Sequence, residues 1–321
     1  MKISFKTLGC KLNQYETQLL REMAEDSPFN TTSFVKGADI YVINMCSVTM
    51  NAVQQSRNII RRARKMSQNA RIIVTGCYPV EMENLPEVDT FIPNAQRQSF
   101  FQRLFNSQKT RISTFKNHTR AFVKIQTGCN KFCSYCIVPY FRKNEYSRPQ
   151  DEIRKEITSL IRNRFKEITL TGVHIGRYNN NGRNLVQLLK EIEHIPHLEK
   201  IRLSSLNPEE ITNELIDTVA SSSKICHHFH LSLQSGDRNV LNSMGRNYEP
   251  GYAAGLIARI KNQMSDCGIG ADVIVGFPSE TVQCFQNTYN FIRNLPFTYL
   301  HVFRYSPRKG TLAAILPNSV H

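Results

Sequence analysis

Short apolar runs rich in β-branched residues alternate with amphipathic stretches along nearly the whole chain, and this alternation limits what it can fold into. Residues 3–8, 39–44 and 71–75 read as buried strands, with 88–92 a fourth. Between them the spacing predicts helices over 14–25, where Leu19, Leu20 and Met23 share a side, and over 49–65. Strands that alternate with helices pair in parallel. Each of the first three strands runs into a cysteine, Cys10, Cys46 or Cys77. In an open parallel sheet, ligands bind beyond the carboxyl ends of the strands, so three thiols far apart in sequence are expected to converge. The alternative is three small buried cysteines in an apolar interior.

A second series of strands begins at 121–126, which alternates with period two, and continues through 167–173, 198–206, 228–233, 269–277 and 298–305. The intervening helices carry Ile153, Ile157, Leu160 and Ile161 on one face, then Leu185, Leu188, Leu189 and Ile192. Such units predict a partial (β/α)6 barrel with its site at the carboxyl ends of the strands. The expected fold is α/β: an N-terminal open parallel sheet domain over 1–105, a linker over 106–120, and the barrel over 121–321. Polar turns follow the barrel strands and bring forward Gly172, His174, Ser204, Gln234, Val275 and Gly276 as candidate cofactor contacts.

The first barrel strand leads into Cys129, Cys133 and Cys136. Three thiolates so closely spaced can hold three irons of a [4Fe–4S] cube. No fourth cysteine follows nearby, which leaves one iron open to the amino and carboxylate groups of S-adenosyl-L-methionine (SAM), a pairing that serves radical chemistry. A zinc knuckle would want a fourth ligand, and His118 is the nearby candidate. Of the other cysteines, Cys226, Cys267 and Cys284 read as core residues. His227, His228 and His230 lie on one predicted strand, where neighbours point to opposite faces, and this argues against a metal shared among them.

With 41 Lys+Arg against 26 Asp+Glu, the net charge is +15, which favours a polyanionic partner. Arg57, Arg61, Arg62, Arg64 and Lys65 on the second helix form either a solvated face or a track for an RNA backbone. No apolar run reaches membrane-spanning length and the start lacks an export signal, so a cytoplasmic protein without a membrane partner is expected.

The cysteine run, with Tyr135 before its last member, resembles the radical-SAM signature. Residues 7–16, 44–49 and 74–78 are similar to the N-terminal motifs of the methylthiotransferases, and 122–140, 170–176, 230–248, 271–281 and 301–311 are similar to motifs of the same family. The resemblance implies two [4Fe–4S] clusters, an auxiliary one on Cys10, Cys46 and Cys77 and a SAM-binding one on Cys129, Cys133 and Cys136, with Tyr135 among the SAM contacts. It also implies an electron donor such as flavodoxin or ferredoxin, and a monomer. It is nearest to the branch that uses two SAM to methylthiolate C2 of N6-threonylcarbamoyladenosine at position 37 of tRNA. Isopentenyladenosine-37 and a ribosomal-protein aspartate are the alternative substrates. An alternative of another class is a non-catalytic iron–sulfur protein that binds RNA or senses redox state. Three departures stand out: Thr127 replaces an acid, 141–146 replaces a glycine-containing loop, and the family's C-terminal TRAM β-barrel is expected to be absent.

Overall fold

The computed structural model describes every residue except 80, 81, 83, 117, 318, 319 and 321. The chain divides into two units, one of Met1–Phe122, Gly128–Asn130 and Ile137–Glu145, the other of Val123–Thr127, Lys131–Cys136 and Tyr146–His321.

In the first unit come β1 (Lys2–Thr7), α1 (Lys11–Glu25), β2 (Asn30–Thr32), β3 (Ile40–Met45), α2 (Met50–Met66), β4 (Arg71–Gly76), β5 (Thr90–Ile92) and α3 (Asn94–Phe105). The strands form one parallel sheet in the order β2-β1-β3-β4-β5. β3 is buried at every position, as a central strand covered on both faces must be. Its Ile43 and Met45 pack with Ile60 and Ala63 of α2 and with Ile72 and Val74 of β4. The Thr49 hydroxyl caps α2 by accepting from the Ala52 amide at 3.1 Å.

The sequence did not signal β2, a three-residue edge strand. Residues 106–120, expected as a linker, lie within the first unit. Ile112 and Phe115 are buried, and the Ser113 and Thr114 amides donate to the buried Glu22 carboxylate of α1 at 2.8 and 3.1 Å. Two anchors held by turns leave no periodic apolar pattern to read.

Next along the chain come β6 (Ala121–Lys124), β7 (Gln126–Thr127), α4 (Val138–Phe141), β8 (Tyr146–Ser147), α5 (Gln150–Arg162), β9 (Glu167–Thr171), β10 (Asn179–Asn180), β11 (Arg183–Asn184), α6 (Leu185–Ile192) and β12 (Lys200–Leu203). Then follow α7 (Asn213–Ser221), β13 (His228–Gln234), α8 (Arg238–Ser243), α9 (Pro250–Gln263), β14 (Gly268–Val275), α10 (Val282–Arg293) and β15 (Tyr299–Arg304). Three-stranded sheets β12-β9-β6 and β13-β14-β15 make a partial (β/α)6 barrel. They meet at Leu206, whose amide donates to the His230 carbonyl at 2.9 Å and whose carbonyl accepts from Ser232 at 2.8 Å. The predicted strand 198–206 is thus broken, because after Leu203 the Ser204 hydroxyl turns to the Leu170 carbonyl at 2.8 Å. The strand 121–126 also divides, and Gln126–Thr127 pairs antiparallel with Tyr146–Ser147. Among the described residues no helix is long and apolar enough to cross a membrane.

Candidate active site

Because β1, β3 and β4 are neighbours in the sheet, their carboxyl ends bring Cys10, Cys46 and Cys77 to one edge. Gly9 turns the chain there with φ of 91°, and a Cβ on it would stand 2.5 Å from that of Cys46. Asn13 ties the strand ends together by donating to the Leu8 and Met45 carbonyls at 2.9 and 3.0 Å. Burial pushes the Cys46 thiol up to about 11 and raises that of Cys10, while the Val48 and Asn13 amides and the nearby Arg142 guanidinium favour their thiolates. Cys77 has the Asn94 side-chain amide 3.8 Å from its sulfur.

Arg142 lies in the segment 141–146 that departs from the family pattern, and the structure gives it a role. It makes a two-pronged pair with Glu16 at 2.8 and 2.7 Å and reaches Asn13 at 3.0 Å. Buried Arg97 pairs with the same Glu16 and with Asn94 at 2.7 Å. Burial draws Arg142 toward neutrality, but Glu16 and the cysteine sulfurs hold it well above its ordinary value. One carboxylate between two guanidiniums leaves net positive charge beside three thiols. Soft donors with a fixed counter-charge and amides aimed at sulfur suit a thiolate-bound iron–sulfur centre.

In the second unit the Cys136 amide closes a turn onto the Cys133 carbonyl at 2.9 Å. Ser134 pins that turn, its amide donating to Met244 at 3.0 Å and its hydroxyl to Ser243 at 2.7 Å. Tyr135 packs against Val240, Met244, Phe277 and Ala313, and burial raises its hydroxyl. Cys129 is counted with the first unit, where its amide donates to the Arg142 carbonyl at 3.0 Å.

Gly172, His174 and Ser204 follow the carboxyl ends of β9 and β12, Gln234 and Val275 end β13 and β14, and Gly276 comes next. Gln234 holds φ of 69°, a left-handed conformation that costs energy for a residue with a Cβ and clusters at ligand sites. The His174 amide donates to Gln126 at 2.8 Å, and its ring meets Glu210 and, at 2.6 Å, Asn207. Against the upward push of burial, His174 and Asn207 hold Glu210 below its usual range. Arg246, which lies within a noted motif but was given no role, donates to Asn207 at 2.6 Å and Ser232 at 2.7 Å, and stands 3.7 Å from the Cys133 sulfur. The buried Arg246 Nε and Glu280 Oε1 have no partner among the described residues. An unmet donor between α8 and α9 and an unmet acceptor on the loop after β14 suit a ligand that carries charges of both signs, as SAM does.

The comparisons agree with this geometry. Residues 123–292 match the model of the Radical SAM superfamily, and 2–92 match that of the Uncharacterized protein family UPF0004. The threonylcarbamoyladenosine tRNA methylthiotransferase MtaB of Bacillus subtilis is 37% identical over 99% of this chain and 76% of its own length. The chain belongs to the radical-SAM methylthiotransferase family. A second relative of this methylthiotransferase, the tRNA-2-methylthio-N(6)-dimethylallyladenosine synthase of Thermodesulfovibrio yellowstonii, is 30% identical over 99% of the chain and 79% of its own length. The radical SAM methyltransferase TsrM of Kitasatospora setae shares the fold, with a TM-score of 0.70 at 12% identity over 98% of this chain and 77% of that one. Iron–sulfur clusters and SAM are the cofactors of this enzyme.

Proposed function

We propose that this methylthiotransferase installs a methylthio group at C2 of N6-threonylcarbamoyladenosine, position 37 of tRNA, using two [4Fe–4S] clusters and two SAM per turnover. The observation that carries the reading is the convergence of Cys10, Cys46 and Cys77 beside Arg142, in addition to the run from Cys129 to Cys136. Relatives named for this substrate are also more similar, at 37% and 36% identity, than those named for dimethylallyladenosine, at 30% and 31%.

In this reading Cys129, Cys133 and Cys136 hold the SAM-binding cluster within residues 121–321, and Tyr135, Gly172, His174, Ser204, Gln234, Val275 and Gly276 frame SAM. Cys10, Cys46 and Cys77 hold the auxiliary cluster within residues 1–105, with Arg142 and Arg97 balancing its charge. Bound SAM and its cluster supply one-electron chemistry able to break an aromatic C–H bond, which offers no useful handle to an acid or base. The chain's own work is to position the adenine and to draw it from its stack. A low-potential donor of the flavodoxin or ferredoxin class delivers electrons, and the enzyme acts as a cytoplasmic monomer.

The test compares reconstituted enzyme with Cys46→Ala and Cys133→Ala on tRNA bearing threonylcarbamoyladenosine. Cys133→Ala should abolish both SAM cleavage and product. Cys46→Ala should keep SAM cleavage and lose the methylthio product by more than a hundredfold; product from Cys46→Ala at the parent rate would sink the two-cluster assignment. Nucleoside analysis of tRNA from cells with and without the gene decides the substrate, since a change confined to dimethylallyladenosine would overturn the threonylcarbamoyl reading.

A further inference from the structure

Parallel pairing places one row of polar side chains across the last three barrel strands. Asp272 of β14 is in register with His301 of β15, and Gly270 with Tyr299, while His230 of β13 lies opposite Gly270. By strand alternation these side chains occupy the face opposite to the fully buried Phe229, Leu231 and Leu233. His230 Nε2 stands 2.9 Å from Asp272 Oδ1, and His301 Nδ1 stands 3.2 Å from the same oxygen. All three donor atoms lie within 4.8 Å of one another. The sequence argument against a histidine metal site compared neighbours along one strand, whereas the partners come from adjacent strands.

We propose that His230, Asp272 and His301 form a binding site for a divalent cation of the zinc class, distinct from the cysteine sites. Two imidazoles and a carboxylate are a recurrent ligand set for zinc and ferrous iron. A metal about 2.0–2.2 Å from each donor would set them roughly 3–3.5 Å apart in tetrahedral geometry, close to the two histidine–aspartate spacings already present. The outer support that such sites need is also built. The other ring nitrogen of His230, Nδ1, meets the Tyr299 hydroxyl at 3.0 Å, and that hydroxyl meets His228 Nε2 at 2.9 Å. This fixes the His230 ring with Nε2 turned to Asp272. Gly270 makes room for the arrangement, since a Cβ there would lie 2.2 Å from the Tyr299 ring. The His301 side chain is 55% exposed, so the ion can enter from solvent and keep a position for an exchangeable oxygen ligand.

The test uses cluster-loaded enzyme, whose cysteine sites are filled, and adds zinc anaerobically while cluster absorbance is followed. Bound zinc is counted after equilibrium dialysis for the parent, His301→Ala, Asp272→Asn and Tyr299→Phe. The parent should hold about one zinc more than His301→Ala or Asp272→Asn, with unchanged cluster absorbance. Tyr299→Phe should keep that zinc with affinity weakened about 10–100-fold. Because His301 is half exposed, its replacement leaves the barrel core intact. Equal zinc in the parent and His301→Ala overturns the proposal, as does uptake that occurs only with loss of cluster absorbance.

Discussion

At the scale of single residues, Arg142 links the chemistry of sulfur to the buried charge around it. Its pair with Glu16 is almost fully buried, and removing one partner of such a pair leaves an uncompensated charge that costs roughly 3–5 kcal/mol. Glu16→Gln should therefore lower the unfolding free energy by about that amount in urea titrations. On the proposed two-cluster assignment, Arg142→Gln should retain the fold by circular dichroism but lose the iron assigned to Cys10, Cys46 and Cys77, about half of the total for two cubes. Full iron in a folded Arg142→Gln enzyme would show that the guanidinium does not support that site. Arg142 falls in the sequence within the departing segment 141–146, and its neighbours, Glu16, Arg97 and Asn13, lie 45 or more positions away. Nothing in local spacing announces such a partnership.

At the scale of elements, strand and helix positions were legible because burial on two faces leaves continuous apolar runs, as in β3, and burial on one face leaves a helical stripe, as in α6. The three strand-end cysteines were legible for the same reason. What escaped was structure held by few contacts, such as the edge strand β2, and the break after β12, where a serine hydroxyl diverts the chain. The His230–Asp272–His301 row escaped because register between parallel strands is set across the sheet. Gly270 marks that register. Gly270→Ala should force the Tyr299 ring from its place and destabilise the barrel by about 1–3 kcal/mol in thermal or urea unfolding, the usual cost of overpacking. On α2, exposed Arg61, Arg62 and Lys65 line one hollow with Lys36. Arg61 pairs there with Glu87 at 3.4 Å, while Arg62 and Lys65 have no acid beside them within the helix, and we propose this face as a contact for tRNA phosphates.

At the scale of the whole molecule, the net charge of +15 draws RNA in, and the number of phosphates contacted sets how association responds to salt. The logarithm of affinity should fall linearly with the logarithm of salt concentration. Replacing Lys36, Arg62 and Lys65 together by Glu should reduce the magnitude of that slope by roughly 2, near the −0.7 per contact expected for single strands. Filter binding of an anticodon stem-loop measures it, and an unchanged slope would remove this face from the RNA contact. The two sets of motif cysteines also differ in how far apart they lie along the chain. Cys129 to Cys136 are local, so the cluster site proposed for them needs no distant part of the chain to bring its sulfurs together. Cys10, Cys46 and Cys77 meet only after two parallel crossovers have closed, and such long-range pairings form late. If both proposed sites take iron, maturation should be ordered in time: the local loop can be filled early, while delivery to the strand-end thiols must wait for a finished sheet, so a mutation that slows sheet closure should appear in the cell as a shortage of one cofactor.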